Sequence, residues 1–276
     1  MILGIDAGAS FTDVVIFNGK KVKNKKIMYK FSIESEKLKQ KNKISLKKFE
    51  TFLKKTLSKN KISVSEISEI KITGSSFKPK TILGIKAQHK NEITSIAEGA
   101  KFISGKTNFV VANIGTGTPF IKVYGKKAVH LGGTGIGGGT ISGISKLVLK
   151  CDVPAAEKLA LKGKNSLDLT VGDIIKGHIG IIPKDATASN FGKVNSAKVS
   201  KNDFAFSLIN SVAESIGVMA YLAAKSENTK TIIFTGRVAN NTLVRKRISA
   251  ALKIFNLKPV FPKNAEYCTA IGAALK

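Results

Sequence analysis

A short apolar strand pattern followed at once by a small, glycine-containing loop occurs twice in this chain, and this repeat constrains the fold more than any other feature. The first copy is Ile2–Ile5 followed by Asp6–Thr12, and the second is Phe109–Ile114 followed by Gly115–Thr118. In each copy further β-like runs come next, and helical and strand patterns then alternate. A repeated order of this kind predicts two α/β units of the same architecture.

Hydrophobic periodicity places the elements of each copy. In the first copy it predicts strands at Ile2–Ile5, Thr12–Phe17, Lys20–Phe31 and Glu69–Thr73, a hairpin turn at Asn18–Gly19, and helices over residues 46–58 and Glu92–Ile103. In the second it predicts strands at Phe109–Ile114, Ile121–Tyr124, Ala128–Leu131, Thr231–Phe234 and near Pro259–Phe261, and helices up to Leu149, over Phe204–Ala224 and Leu243–Phe255, and from Thr269. A length of 276 residues suits two domains, which we predict at residues 1–106 and 107–276.

Composition excludes several classes of protein. Hydrophobic residues make up 43% of the chain, which is enough for packed cores and excludes wholesale disorder. No apolar run reaches the roughly 18–20 residues of a membrane span, and the start MILGIDAGAS lacks the basic region of a secretory signal. Two cysteines, Cys151 and Cys268, exclude a disulfide scaffold and a four-thiolate zinc site. We therefore expect a reduced, cytoplasmic protein with no membrane partner.

The net charge of +28 is concentrated in one part of the chain. Residues 20–61 hold 16 lysines against Glu34, Glu36 and Glu50. Only three of the 46 basic residues are arginines, and no aromatic platform interleaves the lysines. Nucleic-acid sites favour arginine forks and stacked aromatic rings. We therefore expect a general lysine bias and no nucleic-acid partner.

Three glycine-containing loops follow predicted strands: Asp6–Thr12, Gly115–Thr118 and Gly132–Gly139. Glycine lets the backbone approach a ligand closely and lets successive N–H groups face one anion. Hydroxyl side chains able to bond a phosphate oxygen stand in two of these loops: Ser10, Thr12, Thr116 and Thr118. Three such loops in one chain predict a nucleotide-binding protein.

Two familiar nucleotide motifs fail on spacing. Gly133-x-Gly135-x-x-Gly138 matches the dinucleotide fingerprint, but the stretch from Gly138 to Leu149 is too short for both a crossover helix and a second strand. The segment from Gly99 to Thr107 resembles a P-loop, but it has five intervening residues instead of four and follows a helical pattern. Neither match predicts a site.

Taken together, the loops resemble one family. Asp6–Thr12 (DAGASFT) resembles the first phosphate loop of the actin-like ATPase superfamily, and Asn113–Thr118 (NIGTGT) resembles the second. Within that superfamily the chain is similar, nearly end to end, to type II pantothenate kinases. Gly132–Thr140 matches their triple-glycine loop, Asp185–Gly192 their Thr-Ala-Ser-(Asn/Ser)-Phe-Gly signature, and Ala270–Ala273 their closing segment. The resemblance implies an α/β fold of duplicated actin-like (ribonuclease H-like) domains with a nucleotide cleft between them.

The resemblance also implies an activity, the ATP-dependent phosphorylation of pantothenate to 4'-phosphopantothenate, which is the first step of coenzyme A biosynthesis. In these kinases a glutamate seven residues before a glycine is the general base, and Glu92, seven before Gly99, matches it. Asp6 is the carboxylate expected to hold Mg²⁺ beside the phosphates. The residues expected to bind ATP are Asp6, Ala7, Gly8, Ala9, Ser10, Phe11, Thr12, Asp13, Gly115, Thr116, Gly117, Gly137, Gly138, Gly139, Thr140, Gly236 and Arg237.

Several of these roles are specific. Gly137–Gly139 are expected to begin a helix whose N-terminal N–H groups face the nucleotide. Arg237 matches a position near the adenine and ribose, whereas Arg245 and Arg247 are expected to be solvated on a helix. The family is dimeric through the region of Phe204–Ala224, which implies a homodimer.

The positions on the acceptor side depart from the family pattern. Thr118 and His130 match substrate-binding positions, but the family has an arginine where His130 stands and a small hydroxyl residue where Pro119 stands. A neutral imidazole does not replace a permanently charged guanidinium on a carboxylate. Nearby Lys122, Lys126 or Lys127 could supply the charge.

These departures leave alternatives open. The chain could be a superfamily kinase for a related hydroxy acid or sugar, or a nucleotide-binding protein without turnover. It could also be an ATPase that activates a partner enzyme, as the dehydratase activators of this superfamily do. Those activators carry an iron–sulfur ligand cysteine just ahead of the glycine loop, where this chain has Val129, His130 and Leu131.

Overall fold

The computed structural model describes residues 1–18, 26–74, 77–175, 177–196 and 198–276. The chain divides into two compact units: unit 1 contains Met1–Thr107 and Lys263–Lys276, and unit 2 contains Asn108–Pro262. The predicted second domain ran to residue 276, so the structure differs at the C-terminus, where an apolar helix packs on the sheet of unit 1. Gly19 of the predicted Asn18–Gly19 turn and the start of the next strand lie outside the described residues.

Unit 1 is built around a sheet covered by helices. Its strands are β1 (Ile2–Ala7), β2 (Phe11–Asn18), β3 (Lys26–Glu34), β4 (Lys39–Gln40), β5 (Lys43–Ile44), β6 (Glu69–Thr73), β7 (Thr81–Ile82) and β8 (Ile85–His89). Its helices are α1 (Ser35–Leu38), α2 (Leu46–Lys59), α3 (Glu92–Ser104) and α9 (Cys268–Leu275), with 3-10 turns at Val64–Glu66 and Ala265–Tyr267. The strand order is β3-β2-β1-β6-β8-β7, in which β1, β6 and β8 are parallel and β1-β2-β3 are antiparallel.

Both faces of the unit 1 sheet are buried. On one face α2 packs Phe49, Leu53 and Leu57 against the strands. On the other face a smaller core joins the sheet to α9, and its buried members are Ile2, Val15, Phe17, Ala270, Ile271 and Ala274. Because side chains alternate along a strand, Ile2, Gly4 and Asp6 of β1 share this second face, and its apolar part ends at Asp6.

Unit 2 repeats this plan. Its strands are β9 (Asn108–Asn113), β10 (Thr118–Tyr124), β11 (Lys127–Thr134), β12 (Leu169–Thr170), β13 (Thr187–Ser189), β14 (Ile232–Thr235) and β15 (Pro259–Val260). Its helices are α4 (Gly138–Ile144), α5 (Val153–Lys162), α6 (Val171–Ile175), α7 (Lys201–Ser226) and α8 (Thr242–Lys253), with a π-helical turn at Ser145–Leu149 and a 3-10 turn at Arg237–Asn240. The order β11-β10-β9-β14-β15 and its strand directions match β3-β2-β1-β6-β8.

Helix α7 is the long apolar helix that the sequence predicts. Ser200 caps its N-terminus by accepting a hydrogen bond from the backbone N–H of Asp203. It packs against α5, α8 and the unit 2 sheet. In the described part of the chain it is the one helix with the length and mean hydropathy (1.3) of a membrane span, but 56% of that window is buried inside the fold, as in the core helix of a soluble protein.

Candidate active site

Four residues form a polar row across the unit 1 sheet, one on each of strands β3, β2, β1 and β6. The strand register pairs Ser32 with Asp13, Asp13 with Asp6, and Asp6 with Thr73. Residues paired directly across strands point to the same face, so these four side chains share one face. The Ser32 hydroxyl donates a hydrogen bond to Asp13 Oδ1. The row therefore places two carboxyl groups side by side at the end of β1.

Helices α3 and α9 cover this face and touch each other through glycines. A Cβ atom at Gly99 would lie 1.9 Å from the carbonyl oxygen of Cys268, and one at Gly272 would lie 1.7 Å from that of Ser95. Only glycine allows so close an approach of two backbones. The buried Cys268 is part of this contact. The contact fixes the N-terminus of α3 and the start of α9 over the polar row.

The residues that the two helices bring to Asp6 determine its charge state. Burial, then the negative charges of Asp13 and Glu92, raise the pKa of Asp6 well above its usual value, and a hydrogen bond from the Thr269 side chain opposes that rise. Glu92 is exposed in the first turn of α3, which begins after the Asn91 cap. The structure thus brings together the two carboxylates predicted for metal binding and general base catalysis.

The donor set at Asp6 fits magnesium bound mainly through a phosphate. Among the described residues, no group of three or more His, Cys, Asp or Glu side chains forms a self-contained metal site. Mg²⁺ typically takes one or two carboxylates and completes its shell with waters and substrate phosphates. Asp6, held close to the charges of Asp13 and Glu92, offers oxygen ligands whose mutual repulsion a cation would offset. The residues present therefore fit such an ion.

The loop that resembles a first phosphate loop connects β1 to β2. Its tip, Gly8–Ser10, is held by α1, because the Ser35 hydroxyl donates to the Gly8 carbonyl at 2.7 Å and the Ser35 N–H donates to the Ser10 carbonyl at 2.9 Å. Ala9 and Ser10 are exposed, and Phe11 begins β2. Thr12, one of the residues expected to bind ATP, is buried on the opposite face from Asp13, and its hydroxyl lies 3.1 Å from that of Ser35. It anchors the loop.

In unit 2 the loop Gly115–Gly117, which resembles a second phosphate loop, lies against the triple-glycine segment. The N–H groups of Gly138 and Gly139 donate to the carbonyls of Gly115 (2.8 Å) and Thr116 (2.9 Å). The predicted free donors facing the nucleotide are thus used inside the protein. A Cβ at Gly137 would lie 2.7 Å from the Thr116 carbonyl oxygen, so these glycines serve close backbone packing.

Other predicted residues of unit 2 also make internal contacts. The Thr140 hydroxyl accepts from the Gly137 N–H at 3.2 Å. Thr118, predicted to bind substrate, is buried and donates to the Ile136 carbonyl at 2.8 Å. Thr116, by contrast, is exposed at the tip of the loop. Arg237 is half-buried and begins the 3-10 turn after β14.

The acceptor-side departures lie on the β10–β11 hairpin. His130 is exposed and pairs with Ile121 beside a register shift, and Pro119 pairs with Gly133. Lys122, one of the lysines expected to supply a charge, donates to the Glu227 carbonyl at 3.2 Å. Lys126 and Lys127 are exposed at the hairpin turn, so either could supply the expected positive charge.

A buried polar network in unit 2 was missed by sequence reasoning. Asn210 and Glu214, one turn apart on α7, bind Arg247 of α8, and the Arg247–Glu214 ion pair measures 2.6 Å. Asn210 also donates to the buried Asp168 at 2.7 Å. Arg247 was predicted to be solvated, and so was Arg245, which donates to the Ala239 carbonyl at 2.6 Å. The sequence signal for this network is the presence of an amide and an acid, Asn210 and Glu214, four residues apart on an otherwise apolar helix.

This network holds the Asp185–Gly192 signature segment. Glu214 accepts hydrogen bonds from Thr187 (3.0 Å) and Asn190 (3.3 Å). Asp168 accepts from the backbone N–H of Phe191 at 3.0 Å, and Phe191 has a left-handed backbone (φ 59°). The signature residues are therefore fixed by charged groups that follow or precede them by more than twenty residues.

Comparison with known proteins gives relatives over the whole chain. The family model Fumble matches residues 105–276. The chain is 32% identical over 291 residues to a protein named type II pantothenate kinase from a strain of Bacillus cereus, covering 99% of this chain and 96% of that protein. It is 34% identical over 226 residues to the protein of that name from Bacillus anthracis (76% and 80% covered) and 31% over 224 residues to that from Staphylococcus epidermidis (75% and 83%).

Solved structures share the fold at lower identity. The activator of the 2-hydroxyisocaproyl-CoA dehydratase from Clostridium difficile, with bound ADPNP, superimposes with a TM-score of 0.68 at 16% identity, covering 99% of this chain and 92% of that one. Component A of the (R)-2-hydroxyglutaryl-CoA dehydratase from Acidaminococcus fermentans gives 0.67 at 19% identity, covering 99% and 96%. These similarities confirm the predicted fold of duplicated actin-like ATPase domains.

Proposed function

The chain belongs to the type II pantothenate kinase family, and we propose that it transfers the γ-phosphoryl group of ATP to the primary hydroxyl of pantothenate. The observation that carries the mechanism is the acid site of unit 1, where Glu92 lies close enough to Asp6 for its charge to raise the pKa of Asp6. Similarity to kinases of that name over 99% of the chain supports the same activity.

The reaction forms one bond and breaks another. The pantothenate hydroxyl oxygen bonds to the γ-phosphorus of ATP, the bond from that phosphorus to the β–γ bridging oxygen breaks, and ADP leaves. We propose that the Glu92 carboxylate accepts the proton of the hydroxyl, since it is exposed at the start of α3. General base catalysis of this kind contributes about 10²–10⁴-fold.

Positioning of the phosphates is the other main requirement of phosphoryl transfer. We assign this role in unit 1 to Asp6–Asp13, with Ala9 and Ser10 exposed at the loop tip. In unit 2 we assign the positioning of the phosphates to Gly115–Gly117, whose backbone packs against Gly137–Thr140. We assign the nucleoside part of ATP to Gly236 and Arg237. The internal hydrogen bonds of Gly138 and Gly139 make their contribution indirect: they hold Gly115–Gly117 in shape.

We propose that Asp6 holds Mg²⁺, directly or through water. Bound there, the ion would neutralise charge on the β- and γ-phosphate oxygens. The protein's own contribution is to fix the Asp6 carboxyl: its strand is paired on both sides by β2 and β6, and Thr269 hydrogen-bonds its side chain.

Pantothenate carries a carboxylate, and its recognition would fall to the β10–β11 hairpin. Thr118 would act there through backbone shape, because its hydroxyl is bonded to Ile136. Lys126 or Lys127 of the same hairpin would provide the positive charge, and His130 would provide a polar contact. This composition differs from the arginine expected at His130, so acceptor selectivity is the feature in which this chain would differ most from its relatives.

A coupled ADP-release assay with a panel of acceptors tests the proposal. With ATP and Mg²⁺, pantothenate should give the highest kcat/KM among hydroxy acids and sugars. A higher value for another acceptor would favour a related superfamily kinase. ADP release that no acceptor changes would favour a partner-activating ATPase, which the fold of the dehydratase activators motivates.

We further propose that the protein works as a cytoplasmic homodimer, without nucleic-acid or membrane partners. Exposed apolar side chains occur on α7 (Val218 and Leu222) and on the neighbouring π-helical turn (Leu147 and Val148). Exposed apolar groups of this kind typically mark protein contacts. Sedimentation as a dimer at micromolar concentration is expected, and a persistent monomer would contradict it.

A further inference from the structure

The end of β6 carries a buried hydroxyl that no described residue bonds. Thr73 is the last residue of β6 and stands directly beside Asp6 in the sheet. Only 2% of Thr73 is exposed, yet its Oγ1 has no hydrogen-bond partner among the described residues. Buried hydroxyl groups are normally paired, because an unpaired one loses its bonds to water without replacement. The hydroxyl is therefore open to a partner other than the described residues.

The strand geometry shows on which side that partner would lie. Two residues earlier on the same strand, the Lys71 ammonium reaches the Ala274 carbonyl of α9 at 3.4 Å. Side chains two residues apart on a strand share a face. Thr73 therefore points to the α9 side of the sheet, which is also the side of the Asp6 carboxyl and of Thr269.

The backbone keeps Thr73 next to Asp6. Gly74, which follows it, has φ +101°, and a Cβ atom there would lie 2.4 Å from the carbonyl oxygen of Ala7. The ends of β1 and β6 are therefore in contact through a residue that has to be glycine. This contact leaves Thr73 no freedom to withdraw from Asp6.

Unit 2 contains the same arrangement with its hydroxyl satisfied. Thr235 ends β14 and pairs with Asn113 at the end of β9, just as Thr73 pairs with Asp6. The Thr235 hydroxyl donates to Asn113 Oδ1 at 2.9 Å. Gly236 follows with φ +85°, and a Cβ there would lie 2.4 Å from the Ile114 carbonyl oxygen. In unit 2 the threonine hydroxyl is thus bonded to its neighbour. In unit 1 the Thr73 hydroxyl stands beside Asp6 and has no partner among the described residues.

We propose that the Thr73 hydroxyl is a ligand-positioning group of the unit 1 site, donating a hydrogen bond to an oxygen of the hydrated magnesium–phosphate group held at Asp6. This inference rests on the proposed function, because it takes a magnesium–nucleotide complex as the ligand. The oxygen that accepts this hydrogen bond is either a phosphate oxygen or the oxygen of a metal-bound water. Thr73 completes a row in which each of the other three side chains already has a polar contact.

The test is calorimetric titration of the full chain with the non-hydrolysable analogue ADPNP, once with Mg²⁺ and once with EDTA. Thr73→Val keeps the shape of the side chain and removes the donor, and we expect ADPNP to bind it about tenfold or more weakly with Mg²⁺. Thr73→Ser should restore the affinity. Weakening in both titrations would indicate a phosphate oxygen as the acceptor, and weakening only with Mg²⁺ would indicate a metal-bound water; each supports the proposal.

Thermal unfolding without ligand separates this role from a structural one. Thr73→Val should melt at the same temperature as the wild type or higher, because it removes an unpaired buried polar group. The matched variant of unit 2, Thr235→Val, should melt at a lower temperature, because it leaves Asn113 Oδ1 without its donor. A fall in melting temperature for Thr73→Val like that of Thr235→Val would overturn the proposal.

The failures of the two proposals are distinguishable. If the wild-type chain binds Mg²⁺ and ADPNP and Thr73→Val binds them equally well, the role of Thr73 is wrong and the proposed function stands. If the wild-type chain binds no ADPNP under either condition, the proposed function fails and the role of Thr73 fails with it.

Discussion

The first strands of the two units end in different residues at equivalent places. In unit 1, β1 ends with Asp6 beside Thr73 of β6, and in unit 2, β9 ends with Asn113 beside Thr235 of β14. The amide accepts the hydroxyl of its threonine at 2.9 Å. The acid has neighbouring negative charges and a pKa raised by burial and by those charges. The same backbone thus supports a closed threonine–amide pair in one unit and, in the other, an acid to which the neighbouring threonine makes no hydrogen bond.

This difference indicates that two units with the same fold can keep their polar groups in different states of hydrogen bonding. In unit 2 the polar groups around the loop are used internally: Thr118, Thr140, Gly138 and Gly139 all bond to other parts of the same unit. In unit 1 the carboxyl group of Asp6 lies among the negative charges of Asp13 and Glu92. The polar groups at the end of β1 thus differ in their surroundings from those at the loop of unit 2, although the two units share one plan.

The largest effect is expected from the acid of α3. Glu92→Gln should lower kcat for pantothenate phosphorylation by about 10²–10⁴-fold, because the amide does not accept the hydroxyl proton. ADPNP affinity should remain near that of the wild type, since the residue binds no phosphate in this mechanism. The neighbouring acid of the same helix, Glu98, pairs with Lys101, so Glu98→Gln is a matched control that should retain turnover. Full turnover in Glu92→Gln would remove Glu92 from the mechanism.

Asp6→Asn gives unit 1 the residue that unit 2 has. We expect kcat to fall by about 10²–10³-fold, the range for losing one electrostatic contact to the developing charge. In EDTA at neutral pH the variant should nevertheless have a larger free energy of unfolding than the wild type, because the desolvation and negative neighbours that raise the pKa of Asp6 disfavour its ionisation and do not act on an uncharged amide.

The pH dependence of that stability difference has a definite sign. The pKa of Asp6 is higher in the folded than in the unfolded chain, so its ionisation reduces stability as the pH rises through that interval. The advantage of Asp6→Asn over the wild type should therefore shrink as the pH falls toward the ordinary aspartate value of 3.8. Denaturant titrations at several pH values measure it, and an advantage that grows on acidification would refute the assignment.

Substituting the glycine after β6 and the glycine after β14 should lower the free energy of unfolding by similar amounts, because both lie against a backbone carbonyl at the same place in the repeat. Gly74→Ala and Gly236→Ala each introduce a Cβ 2.4 Å from a carbonyl oxygen at positive φ, and each should lower the free energy of unfolding by more than the roughly 1–2 kcal/mol of left-handed backbone alone. Gly84→Ala and Gly125→Ala are matched controls with positive φ and open space. Equal losses in all four variants would show that the close contacts do not matter.

The smallest effect is expected at an aspartate of unit 2. Hydrogen bonds from Lys193, then from the Thr170 side chain and backbone, lower the pKa of Asp173 to about 2. Its contribution to stability is therefore present above its ordinary value of 3.8 and is lost as the pH falls through about 2. The difference in unfolding free energy between wild type and Asp173→Asn should be constant near neutrality and should shrink as the pH falls from 3.8 toward about 2; a constant difference down to about pH 2 would contradict this.

Local patterns were sufficient to predict most strands and helices. The strand Glu69–Thr73 has the bounds of β6, and the helix predicted from Glu92 begins there because an asparagine cap and an acidic first turn are local signals. The unit to which the last helix belongs was not predictable, since an apolar helix such as Cys268–Leu275 suits either sheet. Its glycine, Gly272, explains the choice only once Ser95 is seen against it.

The site was predictable in its residue types and less so in its contacts. The fold brings Glu92 close enough to Asp6 for its charge to raise the pKa of Asp6, across more than eighty residues. The family resemblance assigned a role to each residue but did not predict this proximity. The hydrogen bonds that occupy Gly138 and Gly139 were not predictable, because a glycine-rich sequence fits a ligand and another backbone equally well. The Arg247–Glu214 pair likewise depends on the packing of α7 against α8, which helical periodicity does not specify.

The central claim is tested most directly by phosphorus NMR of the wild-type protein with ATP, Mg²⁺ and pantothenate. We expect the γ-phosphate resonance of ATP to be replaced by that of a phosphate monoester of pantothenate, with ADP formed in equal amount and no change when pantothenate is left out. Conversion of ATP to ADP and free phosphate at the same rate with and without pantothenate would contradict the account.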